Sequence, residues 1–199
     1  MAWNQYYVFV KNPRQTDLSE ILRALDLQEY KPSAEVDLYA ANKAKTLFAG
    51  FYNGSLLFAH PKLPYAFFGL DTTDTERRFT TIFPDSDIAA LVINESVNGF
   101  GYALITGGRK IRVKDGADGE IYHDMGDLLP EEKEVLSEEI YTKEELEDMK
   151  SDGMSKEEIQ SRVQFEASFR VPNRLTRRFL GETVLKVDGE KVKLTMYSK

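Results

Sequence analysis

The chain has 199 residues, a net charge of −7 and no cysteine. This length suits a single domain. The absence of cysteine excludes disulfides, thiolate nucleophiles and cysteine-ligated metal sites. An acidic chain also lacks the basic surface that nucleic-acid binding requires.

Neither a secretory signal nor a membrane span is predicted. Residues 1–10 lack a basic segment followed by a long apolar run. No apolar run approaches the roughly 20 residues that cross a bilayer. We therefore expect a cytoplasmic protein without a membrane or nucleic-acid partner, and the composition leaves its oligomeric state open.

Three elements are predicted in the first 60 residues. Residues 6–10 are typical of a short buried strand, and Asp17 with Glu20 resembles a capping box. Apolar residues then recur on one helix face, at Leu18, Ile21, Leu22 and Leu25. Asn53-Gly54 lies between two apolar runs, which strongly indicates a hairpin because both turn residues must adopt positive φ.

The middle of the chain has the most strand-like composition. Residues 88–93 form an apolar run suited to a central strand, and Gly107-Gly108 separates further strands at 100–105 and 110–113. A short strand at 120–123 follows another turn. Consecutive tight turns indicate antiparallel pairing, because a parallel return needs a dozen or more residues.

After residue 130 the pattern becomes helical and polar. Residues 131–140 are typical of a helix, and capping-box patterns follow at 142–145 and 155–158. We interpret 131–165 as a polar helical insertion within one domain that spans 1–199.

The last 35 residues contain three breaking signals. Pro172 is expected to end or kink a helix through 165–170, and a helix at 173–180 should close on Gly181. Asp188-Gly189 predicts one more hairpin. All elements together predict an α+β fold, with a mainly antiparallel sheet of six to eight strands built of hairpins and helices packed on one face.

Several short motifs follow one another between residues 83 and 131. They are an apolar strand at 88–93, Ser96 to Ala103 entering a second strand, Ile111-Arg112, Asp118-Gly119-Glu120, and Asp124-x-Gly126-x-Leu128-Leu129-Pro130-Glu131. In this order they are similar to an uncharacterised bacterial family, common in actinobacteria, that is known only as a domain of unknown function. Segment 140–165 departs from that family's pattern. The resemblance implies a bacterial intracellular protein and supplies no functional residues.

Charge is unevenly distributed over the C-terminal third. Residues 128–160 carry a net charge of −8 and residues 161–199 carry +5. Arg174, Arg177 and Arg178 fall on one predicted short helix, where they could bind an anion. Pairing with the acidic residues of 131–158 is the alternative.

Carboxylates and histidines supply the candidate catalytic residues. Asp85 and Asp87 precede the central strand, and Glu95 follows it. Carboxylates at strand ends can converge on Mg²⁺, or simply form turns. In His123-Asp124 a carboxylate stands beside an imidazole, but neighbours on a strand point to opposite faces of the sheet. The other histidine, His60, is expected to cap a loop.

Catalytic signatures for common enzyme classes are missing from the sequence. It contains no Gly-x-Ser-x-Gly elbow, no phosphate-binding P-loop and no His-Glu-x-x-His metal helix. We therefore expect a non-enzymatic binding or regulatory protein that acts through a protein partner, with no cofactor. The alternative is a metal- or phosphate-dependent enzyme whose site draws on the carboxylates and His123.

Overall fold

The structure, a computed structural model, describes residues 4–41 and 45–199, which contain one nine-stranded sheet. The strands are β1 (Asn4–Lys11), β2 (Lys31–Asp37), β3 (Thr46–Tyr52), β4 (Ser55–Ala59), β5 (Ile88–Asn94), β6 (Gly99–Thr106), β7 (Arg109–Ala117), β8 (Glu120–Gly126) and β9 (Lys193–Ser198). Their order is β2-β9-β3-β4-β1-β5-β6-β7-β8, and each neighbouring pair is antiparallel. The predicted α+β class with an antiparallel sheet is confirmed.

Helices join these strands. They are α1 (Leu18–Ala24), α2 (Asp74–Ile82), α3 (Pro130–Leu136), α4 (Lys143–Ser151), α5 (Lys156–Leu175) and α6 (Arg177–Leu180). Helices α1, α2, α4 and α5 begin with side-chain caps. Asp17 caps α1, and the predicted capping boxes begin α4 at Thr142 and α5 at Ser155. Gly181 ends α6 with φ 83°, as its position predicts.

Helices cover both faces of the sheet, whereas the sequence analysis placed them on one. On the first face Leu91 and Tyr102 pack with residues of α3, α5 and α6, and on the second Ala90 and Phe58 pack with α1 and α2. The reason lies in the central strands. Residues 88–93 are buried at every position, so both faces of β5 require apolar partners. We call these the α5 face and the α2 face.

The three hairpins predicted from turn residues in the first 126 residues are present. Asn53 and Gly54 join β3 to β4 with φ of 48° and 71°. Gly107-Gly108 joins β6 to β7, and Asp118-Gly119 joins β7 to β8, again with positive φ. These tight turns set the strand registers that position the side chains described below.

The hairpin predicted at Asp188-Gly189 is wrong. The backbone N–H groups of Lys186 and Val187 donate to the carbonyl of Thr183 in a turn, so no strand precedes Asp188. Gly189 lies against the Tyr39 ring, where a Cβ would lie 2.6 Å away and would displace that exposed side chain. The strand that follows, β9, inserts between β2 and β3.

The helical segment after residue 130 is more integrated than a polar insertion. Val135 of α3 and Phe165 of α5 are buried in the core of the α5 face, whereas α4 has no buried residue. Pro172 lies within α5 and does not end it. Its ring is buried, and the packing of this segment against the sheet compensates for the missing N–H.

Candidate functional site at the β7–β8 hairpin

The five carboxylate and histidine candidates do not converge on one site. Asp85 and Asp87 lie before β5, and Glu95 lies after it. At about 3.3 Å per residue, Asp87 and Glu95 are roughly 25 Å apart along the strand. Asp85 is exposed and pairs with Arg14 at 2.8 Å, which fits the turn interpretation.

His123 and Asp124 are adjacent on β8 and point to opposite faces, as strand geometry requires. His123 pairs with Asp115 on the α2 face, and Asp124 pairs with Arg112 on the α5 face. Each candidate therefore belongs to a different polar cluster. The β7–β8 hairpin carries both clusters.

On the α2 face, His123 Nδ1 lies 2.7 Å from Asp115 Oδ1. The two residues are cross-strand partners in a row that continues through Gly101 and Val92 to Tyr6. Gly101 makes room for Phe68, because a Cβ there would lie 2.4 Å from the Phe68 ring.

The loop that carries Phe68 also brings Tyr65 to this cluster. Tyr65 hydrogen-bonds Asn94, and its ring centroid lies 6.2 Å from that of Tyr6. Burial raises the pKa of Tyr65, and the neighbouring Tyr6 and the charge of Asp115 raise it further. The α2 face therefore carries the phenol of Tyr65 near the row that contains Asp115 and His123.

The pairing with Asp115 determines which nitrogen of His123 can act on a ligand. A carboxylate accepts only, so Nδ1–H donates to Asp115 and Nε2 keeps its lone pair. The imidazole is about a third exposed, which leaves Nε2 open to a solute. Burial raises the pKa of Asp115, although its hydrogen bond to His123 opposes that change. The pair can accept a proton.

On the α5 face, Arg112 is fully buried and every part of its guanidinium is used. Nε and Nη2 donate to the two oxygens of Glu132 at 2.8 and 2.6 Å. Nη1 donates to Asp124 at 2.5 Å and to the carbonyls of Met125 and Gly126. This planar, bidentate arrangement is the one for which arginine is suited.

Glu132 is the centre of this network. Besides Arg112, its carboxylate accepts from the Tyr102 hydroxyl at 2.8 Å and from the Leu129 backbone N–H at 2.9 Å. Burial raises the pKa of Tyr102, and the negative charge of Glu132 raises it further. The network ties α3 to β6 and β7, and its satisfied hydrogen bonds indicate a structural role.

Asp124 and Lys114 form the solvent side of the same network. Lys114 Nζ lies 3.1 Å from Asp124 Oδ2. Partial burial raises the pKa of Asp124, but hydrogen bonds from Arg112 and Lys114 outweigh it and hold the pKa below its usual value. A cavity of about 190 Å³ opens beside them, with Leu128 and Leu136 among its walls.

The outer edge of β8 carries exposed apolar side chains. Ile121 is 38% exposed and Tyr122 56%, and Leu128 and Leu136 are also exposed close by. No further strand pairs with β8 among residues 4–41 and 45–199. Neighbouring chains can add to such an edge, which is why most proteins protect it.

The candidate arginines pair with α3 and the turn after it. Arg174 ends α5 and pairs with Glu138, Arg177 in α6 pairs with Glu134, and Arg178 holds Glu131 with two bonds of 2.5 and 2.6 Å. Of the two predicted arrangements, the structure shows the one in which the arginines pair with acidic residues of 131–158. These contacts satisfy the guanidinium charges that an anion would have needed.

Glu131→Gln is expected to remove part of the pH dependence of stability. Burial raises the pKa of Glu131, but the bonds from Arg178 outweigh it, and the net pKa is lowered. The stabilisation is therefore present above the unfolded pKa of about 4.5 and lost as the pH falls through the folded value. Urea unfolding between pH 3 and 7 measures this.

The difference between wild type and Glu131→Gln should be largest near pH 7 and shrink towards pH 3. Glu139→Gln, at an exposed position directly after the paired Glu138, is the matched control and should follow wild type. A constant difference across the range would contradict the assignment.

No protein family model, no curated protein and no solved structure matches this chain. Within residues 4–41 and 45–199, no three His, Asp or Glu side chains are grouped so that they could hold a metal ion. In the same part of the chain, no helix is both long enough and apolar enough to cross a membrane.

Proposed function

We propose that this protein is a non-enzymatic binding protein that recognises another protein through the β8 edge, and that the partner adds an extended segment to the sheet. The observation that carries the proposal is the exposure of Ile121 and Tyr122 on an edge strand, which among residues 4–41 and 45–199 pairs with β7 alone. In strand addition, main-chain hydrogen bonds provide affinity and exposed side chains provide selectivity.

The opposite edge of the sheet supports the choice of β8. Strand β2 contains Pro32, an irregular register between Pro32 and Ala34, and the charged residues Lys31 and Glu35. Proline, bulges and charges are the usual protections of an edge against pairing. Strand β8 also has a register shift, opposite Asp115 and Gly116, and carries Glu120 and Asp124, but it contains no proline and exposes Ile121 and Tyr122.

Charge along β8 indicates the chemistry of the partner. Residues 116–127 contain Asp118, Glu120, Asp124 and Asp127 and no lysine or arginine. A complementary strand would therefore alternate apolar residues with lysine or arginine, since charge complementarity selects partners and orients their approach.

Cross-linking in the cell of origin tests the proposal with a matched pair of variants. Ile121→Lys/Tyr122→Lys places like charges against the basic partner on the edge and should reduce the cross-linked partner about tenfold or more, the effect of one interface hot spot. The control, Leu70→Lys/Leu185→Lys, changes two apolar residues that are even more exposed, at 62% and 60%. It should retain the partner.

Hydrogen exchange of the isolated complex locates the contact. Backbone amides of 120–124 should exchange more slowly in the complex than in the free protein, because a new strand protects them. Equal partner capture by both double variants, or unchanged exchange in β8, would contradict strand addition.

A second candidate function is general-base catalysis by His123, favoured by its 2.7 Å contact with Asp115 and its open Nε2. This candidate uses His123 alone, because the fold does not bring the five predicted carboxylate and histidine candidates together. A screen of metabolites for increased melting temperature, repeated with His123→Gln, would test it. A ligand that stabilises wild type and not the variant would favour this function over partner binding.

A further inference from the structure

A second cavity lies on the α2 face, away from the β7–β8 hairpin. Its volume is about 200 Å³, and apolar walls come from Leu27, Leu47 and Leu63. Tyr30 and His60 also line it. An apolar cavity with a few polar groups is the usual form of a small-molecule site, and this volume suits a ligand smaller than a drug.

The hydrogen bonds of His60 determine its protonation. The backbone N–H of Lys62 donates to His60 Nδ1 at 3.2 Å, so Nδ1 is the acceptor and Nε2 carries the proton. Nε2–H therefore donates to the Tyr30 hydroxyl oxygen at 3.1 Å. Burial lowers the pKa of His60, and the positive charges of Lys199 and Lys62 lower it further, which agrees with a neutral ring.

This direction leaves the Tyr30 hydroxyl as a donor. Its oxygen accepts from His60, so the hydroxyl can donate its own proton. Among residues 4–41 and 45–199, no group accepts that proton. Tyr30 is buried and lines the cavity, so its hydroxyl is a donor for a ligand there. An acceptor supplied by a ligand in the cavity would satisfy it.

Positive charge at the cavity selects the kind of acceptor. The exposed Lys62 lies among the lining residues, and Lys199 Nζ lies 4.7 Å from the centre of the Tyr30 ring. Lys199 is already paired with Glu29, whereas Lys62 makes no ion pair with any residue of 4–41 and 45–199 and can face a ligand. A donor hydroxyl beside an available ammonium favours an anionic oxygen over a neutral one.

We propose that the cavity binds a small monocarboxylate with an apolar tail. The tail packs against Leu27, Leu47 and Leu63, and the carboxylate accepts the Tyr30 hydroxyl proton and faces the Lys62 ammonium. This site is independent of the β8 edge, so either proposal can fail without the other.

Titration calorimetry with hexanoate, and with hexanol as a neutral probe of equal tail length, tests the site. Hexanoate should bind saturably at millimolar concentration, and hexanol about tenfold more weakly or less, since hydrogen bonds to charged groups exceed those to neutral ones. Tyr30→Phe, which removes the hydroxyl oxygen, should lower the affinity for hexanoate about tenfold and leave the affinity for hexanol unchanged.

Lys62→Gln provides a second variant at an exposed position that the fold tolerates. It should weaken hexanoate binding. The difference in affinity from wild type should shrink as the salt concentration is raised, because salt already screens the lysine charge in wild type. No saturable hexanoate binding to wild type, equal affinity for hexanoate and hexanol, or unchanged affinity in both variants would overturn the proposal. If Tyr30→Phe does not fold, Lys62→Gln decides.

Discussion

Replacing Arg112 by methionine is expected to lower the free energy of unfolding by about 3–5 kcal/mol, the usual cost of removing one partner of a buried ion pair. The change leaves the Glu132 carboxylate buried without its bidentate partner. It also removes the donor to the carbonyls of Met125 and Gly126. Urea denaturation at pH 7 measures the loss.

Arg14→Met is the matched control, because Arg14 makes an ion pair of similar length with Asp85 in an exposed position. Exposed pairs contribute about 0–1 kcal/mol, so this variant should unfold close to wild type. A loss below about 1 kcal/mol in Arg112→Met would contradict a structural role for the network.

Phe79→Ala is expected to cost about 3–5 kcal/mol of stability. Phe79 is fully buried and packs edge-to-face on Phe58 at 5.6 Å and on Phe67 at 5.4 Å, so it joins α2 to the sheet and to the loop before the helix. Thermal and urea unfolding should both report the loss. Hydrogen exchange should increase first in α2 and the 61–73 loop.

Leu70→Ala removes a comparable side chain from the exposed end of that loop. It should change stability by no more than about 0.5 kcal/mol, as is usual for exposed positions. If Phe79→Ala costs no more than Leu70→Ala, α2 would not be part of the cooperative core.

Local turn chemistry explains why much of the sheet was predictable. Asn53-Gly54 and Gly107-Gly108 adopt positive φ, and the identity of these two turn residues is enough to predict it. Asp188-Gly189 has the same residue types as the Asp118-Gly119 turn, but here the glycine makes a close contact with Tyr39, 150 residues away. Sequence near a glycine does not distinguish a conformational need from a spatial one.

Elements that depend on distant partners were not predicted. Strand β2 is mostly exposed, and β9 is its one partner strand within residues 4–41 and 45–199, so its sequence carries little apolar periodicity. Helix α2 includes two threonines near its end and few apolar positions, and it is secured through the Glu76 pair with Lys110 of β7. Such elements gain their stability from tertiary contacts rather than from their own propensities.

The clusters on the hairpin were half predictable. His123 and Asp124 were candidates, but their partners Asp115 and Arg112 were not. A regular two-residue hairpin at Asp118-Gly119 would place Asp115 opposite Tyr122. A shift in register between Asp115 and Gly116 places it opposite His123 instead. A bulge of this kind redirects side chains and carries no reliable sequence signal.

The position of β9 governs when the sheet can form during synthesis. In the sheet, strand β9 lies between β2 and β3 and supplies the hydrogen bonds that both require. In the chain, β2 and β3 precede β9 by more than 140 residues. Until residue 198 has left the ribosome, the β3–β4 hairpin can form, but the outer edge of β3 has no partner strand. Nascent chains that stall before β9 should therefore aggregate and depend on chaperones, because unpaired apolar edges associate with one another.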